Sequence, residues 1–312
     1  MRNVIICGVL KNVKNSIEKN IALCRELGKR CDNYKIILYE NNSDDGTKEI
    51  LEKYSNDADC SIIMEDLMIG KYNSEIWAYT EITGSSHPCR IEQISNARNR
   101  LIDEIILDKY DAYDTVVNID LDSSHWDVNG VLDSIDKIEK DRNLVIYGNS
   151  LRYYDFYALR SPYSKYHLLG PEVVGEIFWN NLNKAEFRIN PEMPELVNVY
   201  SAFNGIGVFD RSVYKKYRYN HIVDQPIKNV YHAIFNHHHK ENLYQEYKNY
   251  IVNQCEKFPG GFLMEGENDM NIYYKNNSGY DKPVVCEHVA FNFKLLANSY
   301  KISINPKMLY WR

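Results

Sequence analysis

Thr115-Val116-Val117-Asn118-Ile119-Asp120-Leu121-Asp122 (TVVNIDLD) decides how the rest of the chain is read. Its first residues are a short apolar run rich in β-branched side chains, which predicts a buried strand over Thr115–Ile119. The run stops on two aspartates with one leucine between them. In extended backbone alternate side chains share a face. Asp120 and Asp122 can then face one cation while Leu121 points back to the core. Similar apolar runs recur on either side, predicting strands at Asn3–Val9 (NVIICGV), Tyr34–Tyr39 (YKIILY), Ser61–Glu65 and Leu144–Tyr147. Apolar residues at helical spacing lie between them. Helices are predicted at Val13–Gly28, after Thr47 to about Tyr54, at Ile91–Leu107 and at Asn129–Lys140. Strand and helix alternate, so the expected fold class is α/β, a mostly parallel sheet with helices on both faces.

The second half is less regular. Residues 151–198 are rich in Tyr, Pro and Asn and show no period, which predicts a loop-rich wall over the sheet. Helices are expected at Arg211–Tyr217, Glu241–Cys255 and Val289–Tyr300, and a short strand at Ile302–Ile304. Nothing resembles an interdomain linker. Residues 1–312 therefore read as a single domain, with 1–150 and 151–312 as its two halves.

Hydrophobic residues make up 44% and charged residues 26% of the 312, enough to bury a large core. The net charge is −6 and no basic stripe stands out, so nucleic acid is not an expected partner. The seven Cys are scattered, without a CxxC pair, which argues against a zinc ribbon or redox motif. They read as reduced thiols. The apolar run at the N-terminus is too short for a signal peptide, and no stretch is long enough to span a bilayer. A cytoplasmic chain is expected, soluble or at most peripheral on a membrane.

In an open parallel sheet ligands bind beyond the carboxyl ends of the strands. Three segments fall there: Cys7-Gly8, Glu40–Asp45 and Asp120–Asp122. Carboxylates paired at a strand end suit Mg2+ or Mn2+, which prefer oxygen ligands and keep room for phosphates. A solvated acidic turn is the plainer reading. Glu40-Asn41-Asn42-Ser43-Asp44-Asp45-Gly46-Thr47 reads as a helix-capping loop, and its Glu40 can also accept hydrogen bonds from a ribose or base. Ser95-Asn96-Ala97-Arg98-Asn99-Arg100 is either a charged helix face or a helix that brings Arg98 to an anionic ligand.

Together YENNSDDGTKEIL, ISNARNRLIDEI and VVNIDLD resemble the nucleotide-binding half of the GT-A glycosyltransferases. They are similar to the acidic-Gly-Thr turn, the Ala-Arg-Asn helix and the D-x-D strand end of family 2 enzymes. YENNSDDGTKEILEKY with RIEQISNARNRLIDEI also resembles the capsule-associated mannosyltransferases of fungi. The resemblance covers roughly residues 3–125. It implies a GT-A-like fold, with 1–150 binding a nucleotide sugar and 151–312 forming an irregular acceptor side. It implies a UDP- or GDP-linked sugar donor, Mn2+ or Mg2+ on Asp120 and Asp122, and a glycan or glycolipid acceptor. Cys7, Gly8, Glu40, Asn42, Arg98, Asp120 and Gly205 become candidate donor contacts. Gly205 lies in Ser201–Phe209 (SAFNGIGVF), similar to a loop near the donor sugar, though glycine in a strand also marks a bulge. Cys286-Glu287-His288 resembles a late acidic motif, with Glu287 as general base and His288 as a third metal ligand. Many relatives have Glu-Asp there, and Glu265, Glu267 and Asp269 are rival carboxylates.

The run His237-His238-His239 reads as an exposed loop or helix start, because adjacent histidines on one element point apart. Tyr153, Tyr154, Tyr157, Tyr163 and Tyr166 suit either sugar stacking or core packing. Asn276-Asn277-Ser278 is a glycosylation sequon. Two rival functions remain: a non-catalytic glycan- or nucleotide-binding protein on the same fold, and a sugar nucleotidyltransferase. The second lacks support in Cys7–Asn12, which is not a Gly-rich phosphate loop.

Overall fold

The computed structural model describes residues 2–67, 90–164, 166–174, 187–238 and 284–312, with Phe178 and Gln245 as isolated positions. In chain order the elements are β1 (Asn3–Leu10), α1 (Ile17–Gly28), β2 (Asn33–Asn41), α2 (Thr47–Glu52), β3 (Cys60–Glu65), α3 (Arg90–Ile105), β4 (Thr115–Ile119), β5 (His125–Trp126), α4 (Val128–Lys140) and β6 (Leu144–Asn149). They continue with α5 (Pro171–Val174), β7 (Val197–Asn198), β8 (Ile206–Asp210), α6 (Ser212–Lys216), α7 (Gln225–His238), α8 (Glu287–Ala297) and β9 (Lys301–Trp311). The sheet order is β3-β2-β1-β4-β8-β6-β9-β5, with β7 also on β9. β1, β2, β3, β4, β6 and β9 share one direction, while β8, β5 and β7 run against them. This is the expected α/β arrangement, a mostly parallel sheet flanked by helices.

The pleat sorts the apolar runs onto two faces. Val4, Ile6, Ile36, Leu38, Val117 and Ile119 pack against α1 and α4. Ile5, Cys7, Ile37, Tyr39 and Val116 face α3, α7 and α8. Period-2 alternation inside an all-apolar strand thus supplies both cores at once. β8 comes from the second half of the chain yet lies between β4 and β6. No described helix is long and apolar enough to cross a membrane.

Several boundaries differ from the sequence reading, and three differences touch residues named there. β1 runs on to Leu10, so Cys7 and Gly8 sit inside the strand rather than after it. β9 is eleven residues long rather than the three of Ile302–Ile304. Pro306 lies within it at an irregularity opposite Tyr147–Asn149, where its missing N–H is not needed. Its carbonyl accepts from Asn149 Nδ2 at 3.0 Å. Thirdly, His237 and His238 end α7 rather than starting a helix or lying in a loop. His238 is buried, with Nε2 2.5 Å from Tyr200 Oη. His239, the helix expected at Glu241–Cys255, Glu265, Glu267, Asp269 and the Asn276 sequon lie outside the described residues.

Candidate active site

β4 ends where its neighbours demand it. The Asp120 N–H still donates to the Gly205 carbonyl at 2.8 Å, one residue beyond the last β4–β8 pair, Ile119–Ile206. Leu121 is buried among the residues facing α1 and α4, so the aspartates on either side of it are left at the edge. The Tyr310 hydroxyl of β9 lies 2.9 Å from the Asp120 carbonyl and 3.0 Å from Asp122 Oδ1, sharing one proton between the two. The other oxygen of Asp122 pairs with Arg312 Nη2 at 3.0 Å. Gly205 has φ +82°, and a Cβ there would meet the Tyr310 ring at 2.4 Å. Glycine is required twice over, by conformation and by the aromatic face against it. Gly205 therefore shapes the platform under the aspartates.

α3 supplies the opposing charge. Its buried stripe is Ile91, Ser95, Arg98, Ile102 and Ile105, spaced three or four apart, with the arginine in the middle of the apolar side. A cation removed from water needs partners. Arg98 finds Glu287 Oε1 at 3.2 Å and Asp120 Oδ1 at 3.3 Å, and lies over the rings of Phe203 and Tyr219 at 4.9 and 5.6 Å. Arg100 points outward instead and pairs with Glu65. Glu287 opens α8 and is buried.

Asp155 joins the same cluster. Its oxygens accept from the Ala158 and Asn204 N–H groups, both at 3.3 Å, and it has no ion pair with a described residue. Burial, together with the nearby Glu287, pushes its pKa up to about 6. Burial and the charges of Asp122, Asp155 and Glu287 push Asp120 up to about 7 against the pull of Arg98.

The structure brings Asp120, Asp122, Arg98 and Glu287 together, but not His288 to the aspartates. Among the described residues, the trio of metal-binding side chains that converges within 4.8 Å is Asp57, Asp59 and Cys60. That trio lies at the far end of β3. Its aspartates are bound by Arg25 at 2.5 and 2.9 Å, which makes it an ion-pair cluster. His288 stacks on Phe203 at 3.8 Å, while Arg98, also over the Phe203 ring, bridges Asp120 and Glu287. Burial and then Arg98 hold the His288 pKa well below its usual value, so the imidazole is neutral.

The β2 turn approaches from the other side. Asn12 and Asp44 exchange hydrogen bonds at 2.8 and 3.0 Å, tying the loop after β1 to the turn after β2. Asp45 accepts from the Thr47 N–H at 3.0 Å, but the N-cap of α2 is Gly46 at φ +96° with no side-chain capping bond, so the expected Asn, Ser or Asp cap is replaced by a local turn at Asp45. Glu40 is fully buried. Its Oε1 accepts from the Ser43 N–H at 2.6 Å, and its Oε2 has no hydrogen-bond partner. Arg98 Nη1, Asn118 Oδ1 and both ring nitrogens of His288 share that condition. Buried polar atoms without partners are uncommon, and several along one edge are what a polar ligand would satisfy. Asn42 is not open: its amide binds the Leu67 backbone through Nδ2 at 2.9 Å and Oδ1 at 3.3 Å. The Cys7 thiol is buried in the core. At Gly8 a Cβ would lie 2.3 Å from the Ile119 carbonyl, so this glycine lets β4 close on β1 just before Asp120.

Sequence reasoning missed Asp155, Tyr310 and Arg312. Asp155 stands alone in a tyrosine-rich stretch, and the two β9 residues sit far from any motif. Of the five tyrosines considered for sugar stacking, Tyr153 is core, Tyr163 is exposed, and Tyr154 stacks on Tyr310 at 6.0 Å beside the aspartates.

Residues 6–242 match the family described as Cryptococcal mannosyltransferase 1. No curated protein matches the chain. Among solved structures, S. aureus TarS 1–349 is 11% identical with a TM-score of 0.45, matched over 100% of this chain and 60% of its own. Its complex with UDP is 10% identical at 0.46, with the same coverage. The mannosyltransferase PcManGT from Pyrobaculum calidifontis, in complex with GDP-Man and Mn2+, is 13% identical at 0.40, over 70% of this chain and 48% of that one. This chain thus spans about three fifths of the TarS structures. Likenesses this distant say nothing of substrate. The family match is of another order, because it runs through the β2 turn, α3, the aspartate pair and Gly205 and takes in about three quarters of the residues. On that ground the chain belongs to the Cryptococcal mannosyltransferase 1 family of glycosyltransferases.

Proposed function

We propose that the chain transfers a sugar from a nucleotide-diphosphate donor to a hydroxyl of a glycan or glycolipid acceptor. The observation that carries this reading is a surplus of carboxylates at the carboxyl edge of β4. Among the described residues, Asp120, Asp122, Asp155 and Glu287 gather there against two cations, Arg98 and Arg312. With all four carboxylates ionised, two negative charges are left over among these residues, which one divalent cation would neutralise. An all-oxygen donor set suits Mn2+ or Mg2+, and Asp120 and Asp122 are the residues to hold it. When bound, the ion would act as a Lewis acid toward the departing diphosphate.

The chain's own groups divide the remaining work. Arg98 fixes Asp120 and Glu287 relative to each other and keeps Nη1 for a ligand oxygen. Glu40 Oε2 is free to accept from the nucleoside. It lies two strands from Asp120, about 10 Å away at the usual strand spacing. The acceptor hydroxyl needs a carboxylate to take its proton. Glu287, the expected base, is engaged by Arg98 at 3.2 Å. Asp155 carries no such partner and is the stronger candidate for that step. Because the family is described as a mannosyltransferase, a mannosyl nucleotide is the first donor to try.

Calorimetric titration with UDP and GDP, in Mn2+ and in EDTA, tests the reading. Metal-dependent binding of one nucleotide, abolished by Asp122→Ala, is the expected result. A folded protein that binds neither in any condition would instead be a glycan-binding member of the fold.

A further inference from the structure

We propose that Arg312 is an exchangeable counterion of Asp122: it holds the carboxylate while no metal is bound, and moves onto the donor's diphosphate when metal and donor arrive. This rests on the reading of Asp122 as a metal ligand.

Both oxygens of Asp122 are engaged by the end of β9, but by unequal partners. Tyr310 is fully buried, stacked on Tyr154 at 6.0 Å and seated against Gly205. Its hydroxyl is neutral, and it can stay on Oδ1 while Oδ2 turns to a cation. Arg312 occupies that Oδ2 at 3.0 Å, and its side chain is 57% exposed against 37% for Asp122. Its other described contact is the face of Tyr154, 5.4 Å from the ring centre. Exposed ion pairs are weak, so exchange with a divalent ion costs little. The released guanidinium remains tethered to β9 at the rim of the site. A planar fork of donors there matches the paired oxygens of a diphosphate better than those of one carboxylate already bound to metal. The same arginine thus opposes metal binding when the site is empty and supports it when a donor is present.

Calorimetry on the full chain separates the two roles, using MnCl2 alone and then UDP and GDP at saturating Mn2+. Arg312→Gln should bind Mn2+ alone about two- to fivefold more tightly and the preferred nucleotide diphosphate about tenfold more weakly. Arg312→Lys should fall between the variant and the wild type in both. Unchanged or weaker Mn2+ binding in Arg312→Gln, with Mn2+ still bound by the wild type, overturns the counterion role and leaves the metal site standing. Tighter Mn2+ binding with unchanged nucleotide affinity overturns the transfer to diphosphate. Wild type that binds no Mn2+, with or without nucleotide, removes the metal reading and this inference with it.

Discussion

Asp120 and its neighbours are a site under charge strain, and this shows as a pH dependence with a definite sign. The pKa of Asp120 is about 7 in the fold, against about 4 in an unfolded chain. A folded state that binds a proton more tightly than the unfolded one loses that stability as pH rises through the folded value. Buried neutral His288 and His167, with lowered pKa values, act in the opposite sense below their unfolded value of about 6.5. The variant difference isolates the aspartate. In EDTA, Asp120→Asn should gain melting temperature relative to wild type between pH 5 and pH 8, and saturating Mn2+ should reverse the order. A difference flat across that window would mean that Asp120 does not titrate within it. Asp120, Asp122, Arg98 and Glu287 were legible in the sequence because each sits in a motif anchored to a regular element. Asp155, Tyr310 and Arg312 were not, because only tertiary contacts bring them to that edge.

β9 is the element that most exceeds its reading from sequence. Its pattern breaks at Asn305-Pro306, yet the strand continues because side chains replace what the backbone lacks there. Asn305 Nδ2 donates to Asp133 Oδ2 and Ser134 Oγ of α4, each at 2.8 Å. α4 then lies so close to β9 that a Cβ on Gly130 would come within 2.2 Å of the Lys307 carbonyl and 2.5 Å of Met308 Cα. Both are backbone atoms and cannot rotate away. Gly130→Ala should therefore lower stability by about 1–3 kcal/mol, read as a lower denaturant midpoint at unchanged slope. An unchanged midpoint would show that the helix can lift without cost. By contrast β1, β2, β4 and α3 were read nearly to the residue, since apolar runs ending in polar turns leave few alternatives.

At the scale of the molecule, the two halves of the sequence share one sheet. β8 pairs with β4 on one side and β6 on the other, and β9 pairs with β6. A fragment of residues 1–150 would leave the facing edges of β4 and β6 without the strand between them. Unpaired central edges with an exposed apolar face aggregate rather than fold. That fragment should give no cooperative thermal transition by circular dichroism, while the whole chain gives one. A fragment that melts cooperatively would mark the first half as a domain in its own right. The alternating half announced the sheet, whereas residues 151–198 show no period, and their described part packs through aromatic contacts such as Tyr153 on Phe187. The placement of β8 also sets a timetable. A ribosome delivers β4 and β6 long before the strand that joins them, and β9 later still. The nascent chain must hold apolar edges apart through that interval, and non-local pairing of this kind is slow. The aspartates are therefore made early, but Tyr310 follows Asp120 by 190 residues of chain.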